Sequence, residues 1–527
     1  MENRDREEHD DEASEQTPLV QHQHQPRRPP HRPMLSVASI ASAASHVNVP
    51  KAHDGSTIVA LFCGILLVVS CANGFANIPL TKIVESALCD AYYDEAQGLG
   101  RPSFDEKCKI PEIQSKMAYI FATVEICDAI AGVVAAFPWG MAADRLGRRP
   151  VAAIALVGLA IGVFWIMVIL WFSNIFPVIM ITTGSLWRFL GGGNAVLVAI
   201  LLSMISDVIP EDKRAAAFMR IHVSNLVGSL VSPALSSAMM SVTGPWPVMF
   251  VAIGCILVGA VAFMFVPETM QHKQSEPMND DTDVPKGLKG HLDHTIAQLK
   301  NSVSMLKSPS LILLLLTCLG TYPITEAVGQ FLVQFTSKRY SIPIESTGYV
   351  QSSFGIFQVI QALLILPWLS NFLLRDKTPA LLRMPNEQVR DLAISRWSFG
   401  LLAFAFFVMA VAPTLWMFVA GLVIMALGSA ATSVIRSLMS LYVDTEHRSR
   451  LYSLVGIVDT VGGLYGPPML AGLFSLGMKY GGVWIGLPYL GMTAIAAIMV
   501  TLLFFVRVPK QSREAPPSSE EGRTHQD

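Results

Sequence analysis

Long stretches without a charged residue are the feature that most constrains this chain. About 20 mostly apolar residues are enough to cross the roughly 30 Å hydrocarbon core of a membrane as a helix. Three charge-free stretches fit one crossing each, at 55–81, 347–374 and 480–506. Three longer stretches fit two crossings each and carry turn-forming residues near their middle, at 150–187, 221–267 and 397–435. Because 52% of the residues are hydrophobic and 15% are charged, the composition excludes an ordinary soluble protein.

Segments that contain a lone charge complete a set of twelve predicted spans, numbered in chain order. They lie near 57–80, 117–139, 151–172, 177–206, 217–242, 247–266, 310–336, 347–374, 396–412, 415–441, 450–477 and 481–506. Helices satisfy their own backbone hydrogen bonds in lipid, so we expect an all-α membrane protein. An even number of crossings puts both termini on one side of the membrane.

The distribution of basic residues predicts which side this is. If the N-terminus is cytosolic, the tails and loops on its side hold 27 of the 38 Lys and Arg residues, and the opposite loops hold 8. Because basic residues accumulate on the cytosolic side, we expect both termini to be cytosolic. The polar residues 1–56 have no cleavable signal pattern and are expected to be a disordered tail. A net charge of −2 gives no reason to expect a nucleic-acid partner.

An internal repeat predicts the architecture. The sequence Val-Gly-Ser-Leu-Val-Ser-Pro at 227–233 in span 5 recurs as Val-Gly-Gly-Leu-Tyr-Gly-Pro at 461–467 in span 11. We therefore expect two pseudo-symmetric six-helix bundles with a substrate path between them. The predicted units are a cytosolic tail 1–56, a bundle 57–266, a cytosolic linker 267–309, a bundle 310–506 and a cytosolic tail 507–527.

Two cysteines occur in the longest loop predicted for the outer face, between Lys82 and Lys116. Cys89 and Cys108 are either joined by a disulfide, which an oxidising compartment would favour, or are two free thiols. The other five cysteines lie within predicted spans without metal-ligand spacing and are expected to be packing residues.

The short loop after span 2 carries the most informative motif. It reads Gly-Met-Ala-Ala-Asp-Arg-Leu-Gly-Arg-Arg-Pro from Gly140 to Pro150 and closely resembles the signature loop of the major facilitator superfamily. A merely positive loop would explain the arginines but not the glycine spacing. The resemblance implies the twelve-helix fold of that family and a gate formed by the signature loop with Asp207 of span 4. The candidate gate residues in the loop are Gly140, Asp144, Arg145, Gly147, Arg148 and Arg149.

Further matches cover nearly the whole chain. Arg-Phe-Leu-Gly-Gly-Gly at 188–193 resembles the second motif of the family, and Gly228 to Pro233 partly matches the span 5 motif common among exporters, with Gly462 and Pro467 as its span 11 copies. Pro-Glu-Thr at 267–269 lacks the form typical of sugar porters, which disfavours hexose uptake. The segment 374–385 lacks the glycines of the signature loop, so the gate of the second half is expected to differ.

A second resemblance concerns the end of span 1. The residues Leu80 to Glu85, followed by Cys89 to Tyr93, are similar to a fungal metabolite-exporter branch of the superfamily, within a drug:proton antiporter-like group. That branch is related to proton-coupled folate and tetracycline-type carriers. The chain departs from it at Asp90, where the branch commonly has a basic residue.

Charged residues inside the predicted spans are candidates for proton coupling, because such residues are costly in lipid and usually mark an ion or substrate path. Glu125 and Asp128 lie three residues apart on one face of span 2, where burial favours the protonated form of a carboxyl. Asp128 is the first choice as proton carrier; the alternative is a permanent pair with Arg188. We expect Asp128→Asn to keep the fold and abolish proton-driven transport. The candidates in the second half are Glu326, Arg436 and Asp459.

Polar side chains in span 8 predict a substrate cavity. An unpaired amide facing lipid is costly, so we expect Gln351, Gln358 and Gln361 to line a cavity. Tyr322 is a further candidate for this lining, and the sequence Tyr322–Pro323 is expected to break the helix of span 7. For any single aromatic residue such as Tyr322, contact with lipid or packing against other helices is the alternative to a place in the cavity lining.

Other functional classes lack their motifs. The chain has no phosphate-binding loop and no metalloprotease or esterase motif, so we expect neither an enzyme nor a cofactor nor a metal site. The sequence predicts proton-coupled efflux of a small organic compound by a monomer in the plasma membrane, with the vacuolar membrane as an alternative. Proton-coupled uptake of a nutrient and a non-transporting nutrient sensor are the alternative functions.

Overall fold

The fold is a bundle of long helices. The computed structural model describes residues 55–97, 105–209, 211–268, 308–375, 379, 384–443 and 448–507, and these ranges contain no β-strand. Eleven helices within them are long and apolar enough to cross a membrane, and the shorter apolar helix Leu415–Gly428 is a further segment of this kind. The prediction of an all-α membrane protein with twelve spans is confirmed. The predicted tails and linker lie almost wholly outside the described residues.

The first bundle contains spans 1 to 6. Their helices are Gly55–Gln97 (span 1), Pro111–Leu146 (span 2), Arg148–Trp171 (span 3), the 3-10 helix Val178–Phe189 with the α-helix Gly193–Val208 (span 4), Glu211–Thr243 (span 5) and Pro245–Met264 (span 6). A short 3-10 helix, Asp105–Lys109, precedes span 2. The buried core of this bundle includes Phe62 and Phe263, whose ring centroids lie 5.9 Å apart.

The second bundle contains spans 7 to 12, several of them in pieces. Their helices are Pro309–Cys318, Thr321–Glu326 and Gln330–Tyr340 (span 7), Ile344–Ile360, the π-helix Gln361–Ile365 and Leu366–Leu374 (span 8), Glu387–Val411 (span 9), Leu415–Gly428, Ala431–Met439 and the 3-10 turn Ser440–Tyr442 (span 10), Arg448–Tyr480 (span 11), and the 3-10 helix Gly482–Gly486 with Leu487–Phe505 (span 12). Tyr489 is fully buried at the centre of an aromatic cluster with Phe335 and Phe418.

The predicted repeat corresponds to equivalent helix contacts in the two bundles. A Cβ at Gly228 of span 5 would lie 2.8 Å from the carbonyl oxygen of Leu67 in span 1. A Cβ at Gly462 of span 11 would lie 3.1 Å from the carbonyl oxygen of Leu319 in span 7. Both glycines therefore allow close backbone approach at matching places in the two halves.

Span 1 is longer than the hydropathy pattern predicts. The expected loop from Lys82 to Lys116 is largely helical, because span 1 continues to Gln97 and span 2 begins at Pro111. The length of a charge-free stretch indicates only the part of a helix that lies in hydrocarbon. A helix that continues beyond the membrane with polar residues is therefore not predicted by this length. A disulfide joins Cys89 in this extension to Cys108 in the 3-10 helix before span 2, with Cα atoms 5.3 Å apart.

The two ends of the molecule are named here by their landmarks. The end that carries the loop 140–150 is called the basic end, and the end that carries the Cys89–Cys108 disulfide is called the disulfide end. Hydrogen bonds close the two bundles against each other at the disulfide end. Lys109 donates to the carbonyl oxygen of Ile342 at 2.6 Å, and the hydroxyls of Ser115 and Ser475 lie 3.0 Å apart.

Candidate functional site

A break in span 4 positions Arg188. Gly191, Gly192 and Gly193 all have positive φ, a conformation that glycine adopts readily, and they separate the 3-10 helix from the following α-helix. A Cβ at Gly191 would lie 2.3 Å from the Cα of Ala155 in span 3, so the bend also requires a residue without a side chain. Arg188 lies in the last turn of the 3-10 helix, just before this bend.

Arg188 forms an ion pair with Asp128 of span 2. This pairing is the alternative that the sequence left open for Asp128. The pair is not fully buried, because 26% of the Arg188 side chain and 17% of the Asp128 side chain remain exposed. Asp128 therefore has both a cationic partner and access to a cavity.

A second ion pair occupies the other bundle. Arg436 of span 10 pairs with Asp459 of span 11 at 2.8 Å, and the hydroxyl of Thr321 donates to the same carboxylate at 3.2 Å. Near the centre of the molecule, each bundle thus holds one Arg–Asp pair between its own helices. In both pairs the charges compensate each other, which lowers the cost of keeping them within a membrane.

Span 7 is broken where it passes the centre of the molecule. The sequence predicts one helix over 310–336 with a break at Tyr322–Pro323, but the breaks lie at 319–320 and 327–329, on either side of a short helix. Two tyrosine hydroxyls donate to backbone carbonyls at these breaks. Tyr465 bonds to Leu319 at 2.9 Å and Tyr489 bonds to Ala327 at 3.1 Å.

The short helix of span 7 brings two further acidic side chains together. Glu326 is its last residue, and the hydroxyl of Tyr322 donates to Oε2 of Glu125 in span 2 at 3.1 Å. Glu125 and Glu326 also line one narrow slot between the bundles. Neither carboxylate forms an ion pair within the described residues. A proton can therefore be held here without breaking either Arg–Asp pair.

These groups surround a charged cavity of about 520 Å³ between spans 2, 4, 7 and 11. The predicted residues that line it are Glu125, Asp128, Arg188, Tyr322 and Asp459. The structure thus brings together the two acidic residues of span 2 and the charged residues of both halves. The cavity is large enough for a small ligand or several waters, so its carboxylates are reachable by protons.

A second cavity, of about 430 Å³, has no ionisable residue in its lining. This neutral cavity lies between spans 1 and 5 of the first bundle and spans 7, 8, 9 and 10 of the second. Of the four predicted cavity residues, Gln351 and Gln358 line it. Gln361 is 4% exposed, accepts a hydrogen bond from Ser429 and is not among the residues that line this cavity. Tyr322 faces the charged cavity instead, because its ring packs against Gly463 and its hydroxyl bonds to Glu125.

The signature loop forms a charge network at the basic end. Arg148 pairs with Asp207, as the resemblance implies. Gly147 has φ 98°, and a Cβ there would lie 2.7 Å from Oε2 of Glu268, which explains the glycine. Asp144 is exposed and forms no ion pair with a described residue. Gly140 and Arg145 are exposed, and Arg149 is buried.

Sequence reasoning missed Glu268 as part of this network. Its carboxylate accepts hydrogen bonds from the backbone amides of Arg148 and Arg149 at 3.2 and 3.1 Å. These amides begin span 3, where unpaired N–H groups and the helix dipole favour an anion. The Pro-Glu-Thr sequence at 267–269, directly after span 6, is the sequence feature that could have indicated Glu268.

Sequence reasoning also missed the contacts that the segment Thr81–Glu85 makes with other spans. Thr81 accepts a hydrogen bond from Gln330 of span 7 at 2.5 Å, and Lys82 lies 3.8 Å from Glu345 of span 8. Glu85 accepts a hydrogen bond from Gln114 at 2.7 Å. This part of the motif therefore connects span 1 to the second bundle at the disulfide end.

The span 5 motif makes a further contact between the bundles. Pro233 interrupts the backbone ladder of span 5, and the hydroxyl of Ser352 in span 8 occupies the gap. It accepts from the amide of Ala234 at 3.0 Å and donates to the carbonyl of Leu230 at 2.8 Å. Span 8 is therefore attached to span 5 near the neutral cavity. In the second half, Pro467 lines the slot that holds Glu125 and Glu326.

Comparison with known proteins gives the same assignment as the geometry. The sequence matches the Major Facilitator Superfamily over residues 117–384 and 394–525. The MFS efflux pump atnC of Emericella nidulans is 28% identical over 89% of this chain and 92% of that protein. The class H tetracycline resistance protein of Pasteurella multocida is 22% identical over 70% of this chain and 82% of that protein.

The fold comparison agrees with this assignment. The crystal structure of the human organic anion transporter MFSD10 superposes with a TM-score of 0.55 at 15% identity, over 86% of this chain and 100% of that chain. This similarity concerns the fold alone. Twelve spans in two six-helix bundles, a signature loop at the basic end and a family match over most of the sequence lead to one conclusion: the chain belongs to the Major Facilitator Superfamily and is a membrane transporter.

Proposed function

We propose that this transporter exports a small, partly apolar organic compound from the cytosol and that inward movement of protons drives the export. The similarity to fungal efflux pumps and to tetracycline resistance proteins supports the direction and the type of substrate. The partial exporter motif at Gly228–Pro233 in span 5 supports the same direction.

The observation that carries this proposal is the charged cavity at the bundle interface. Asp128 is paired with Arg188 and is also accessible from the cavity, so it can exchange a proton without unfolding of either helix. A proton on Asp128 neutralises the carboxylate and weakens its attraction to Arg188. The strength of this contact therefore depends on whether a proton is bound.

In this proposal, a change in protonation in the first bundle affects the second bundle through the contact between Glu125 and Tyr322. Glu125 lies one helical turn from Asp128 and accepts a hydrogen bond from Tyr322 in the broken part of span 7. Protonation within this cluster changes a contact between the two bundles. Rocking of the bundles then exposes the site alternately to each side, with the proton and the compound moving in opposite directions.

The proposed orientation places the basic end in the cytosol. The excess of Lys and Arg on that side supports cytosolic termini. The disulfide at the opposite end is consistent with an oxidising compartment, as outside the cell. We propose a monomer in the lipid of the plasma membrane, acting on a small molecule and protons without a cofactor or enzymatic activity.

Metabolite profiling tests the proposed export directly. Cells that produce this protein, cells that lack the gene, and cells that carry Asp128→Asn are compared for compounds inside and in the medium. We expect at least one compound to be retained inside both the cells without the gene and the variant cells. A compound that instead remains unconsumed in the medium would identify an importer and contradict the proposal, as would identical profiles in all three strains.

A further inference from the structure

The two central cavities differ in charge. The cavity of about 520 Å³ holds Asp128, Arg188 and Asp459, whereas the cavity of about 430 Å³ has only uncharged side chains in its lining. The short helix of span 7 contributes to both: Tyr322 lines the charged cavity, and Thr325 lines the neutral one. The groups proposed to handle protons and the uncharged cavity therefore lie on different sides of one broken helix.

Amide groups provide the polar part of the neutral cavity. Gln351 and Gln358 lie seven residues apart in span 8 and thus on one helix face, and Asn73 of span 1 faces the same space. The side chains of Gln358 and Asn73 form no hydrogen bond with another described residue. Gln351 donates to the carbonyl of Val328 at 3.2 Å, which fixes the orientation of its amide, and its buried Oε1 accepts no hydrogen bond from a described residue. Of these polar atoms, Oε1 of Gln351 is the one that is buried without a hydrogen-bond partner among the described residues.

Apolar side chains form the remaining wall of this cavity. Leu230 of span 5, Phe354 of span 8 and Met425 of span 10 are among them. A volume of about 430 Å³ lies in the range of sites that enclose a drug-sized ligand, and such sites combine apolar walls with a few polar groups. A flexible Met side chain tolerates variation in ligand shape.

We propose that the neutral cavity is the substrate site and that it selects uncharged, amphipathic molecules with hydroxyl or amide N–H donors, which Gln351 and Gln358 hold. This inference rests on the proposed function and adds the chemical class of the substrate to it. An ion in this cavity would lose its hydration without finding a counter-charge in the lining, which disfavours it. A neutral donor can instead bond to the amide oxygen of Gln358, which lines the cavity and has no partner among the described residues.

Equilibrium binding to the purified full-length protein tests this selectivity. Three steroid probes share one skeleton: cortisol is uncharged and has hydroxyl donors, cholate has hydroxyls and a carboxylate, and progesterone is uncharged without a hydroxyl. We expect saturable binding of radiolabelled cortisol, at least about tenfold tighter than binding of cholate or progesterone. Tighter binding of cholate, or no saturable binding of cortisol, would overturn the proposal.

Substitutions of Gln351 and Gln358 test whether their amides cause the preference for cortisol. Leucine preserves approximate size and removes hydrogen bonding, so we expect Gln358→Leu and Gln351→Leu each to weaken cortisol binding about five- to tenfold and to leave progesterone binding unchanged. Gln388→Leu, in span 9 and outside the cavity lining, is the matched control and should bind cortisol as the wild type does. Equal cortisol binding by all three variants and the wild type would contradict the assignment.

The binding test separates this inference from the proposed function. Equilibrium binding requires neither a proton gradient nor a direction of transport, so failure of proton-driven export would leave the predicted steroid preference intact. Conversely, profiling that identifies an exported compound with a permanent charge would support export and overturn the proposed selectivity.

Discussion

At the residue scale, the central feature is that each basic side chain within the spans near the cavity has an acidic partner in its own bundle. Arg188 pairs with Asp128 and Arg436 pairs with Asp459. Glu125 is instead bonded to a tyrosine of the opposite bundle. The two ion pairs therefore lie within single bundles, whereas the hydrogen bond from the tyrosine joins the two bundles.

The first prediction concerns the pair formed by Asp128 and Arg188. Asp128→Asn retains an oxygen that can accept a hydrogen bond but leaves the charge of Arg188 uncompensated. We expect it to destabilise the fold by about 2 kcal/mol and to abolish proton-driven transport. Thermal unfolding of the purified protein and transport in vesicles measure the two effects.

The double variant Asp128→Asn/Arg188→Gln separates stability from coupling. It removes both charges, so we expect it to regain most of the lost stability while transport remains absent. If the double variant transported as well as the wild type, the pair would have no part in coupling. If it were no more stable than Asp128→Asn alone, the uncompensated charge would not explain the destabilisation.

The sequence indicated most of the charged residues of the site, and the Asp128–Arg188 pair as one of two alternatives, but not their uncharged partners. Glu125, Asp128, Arg188 and Asp459 stand out because a charge is rare within an apolar span, and the structure gathers them around one cavity. Partners such as the Ser352 hydroxyl carry no such signal, because serine is ordinary in a membrane helix. Their role depends on which helices are neighbours, and one sequence does not contain that information.

At the element scale, the broken span 7 is the feature that shapes both cavities. Two breaks within a membrane helix leave backbone carbonyls without their helical donors, which is costly in lipid. The hydroxyls of Tyr465 and Tyr489 compensate by donating to Leu319 and Ala327. The short helix between them thereby keeps Tyr322 and Glu326 at the interface between the bundles.

The second prediction follows from the compensation by Tyr489. Tyr489→Phe keeps the buried ring but leaves the carbonyl of Ala327 without this donor, so we expect a loss of about 1–3 kcal/mol of stability. Thermal unfolding in detergent measures it. Tyr480→Phe is the matched control, because Tyr480 is 68% exposed and its hydroxyl has no hydrogen-bond partner among the described residues. Equal unfolding temperatures for the two variants would contradict this account of span 7.

Hydropathy predicted where the spans lie better than how they are built. The twelve predicted segments all correspond to helices, because apolar length is a direct consequence of membrane thickness. The bend after the 3-10 helix of span 4 involves three consecutive glycines with positive φ, and the breaks of span 7 are stabilised by tyrosines far away in the sequence. Composition averaged over a span does not detect either cause.

At the scale of the whole molecule, contacts between the bundles close the disulfide end. They connect span 1 and span 2 of the first bundle with spans 7, 8 and 11 of the second. Gln330 reaches Thr81 at 2.5 Å, and Gln334 donates to the carbonyl of Gln114 at 2.7 Å. Alternating access requires that these contacts break when the disulfide end opens.

The third prediction uses the pair Ser115 and Ser475, whose hydroxyls lie 3.0 Å apart between spans 2 and 11. The double variant Ser115→Cys/Ser475→Cys should form a cross-link under oxidising conditions and stop transport, because the disulfide end can then no longer open. Each single cysteine variant is the control and should transport under the same conditions. Transport at the wild-type rate by the fully cross-linked protein would contradict alternating access through this end.

Simultaneous measurement of proton and compound movement tests the central claim most directly. Purified protein is placed in vesicles with a pH-sensitive dye inside, and a gradient of the compound identified by profiling is imposed without a pH gradient. The account predicts that protons move opposite to the compound and that Asp128→Asn abolishes this proton movement. Movement of the compound without any change in internal pH, or an unchanged proton flux in Asp128→Asn, would contradict proton-coupled export through the charged cavity.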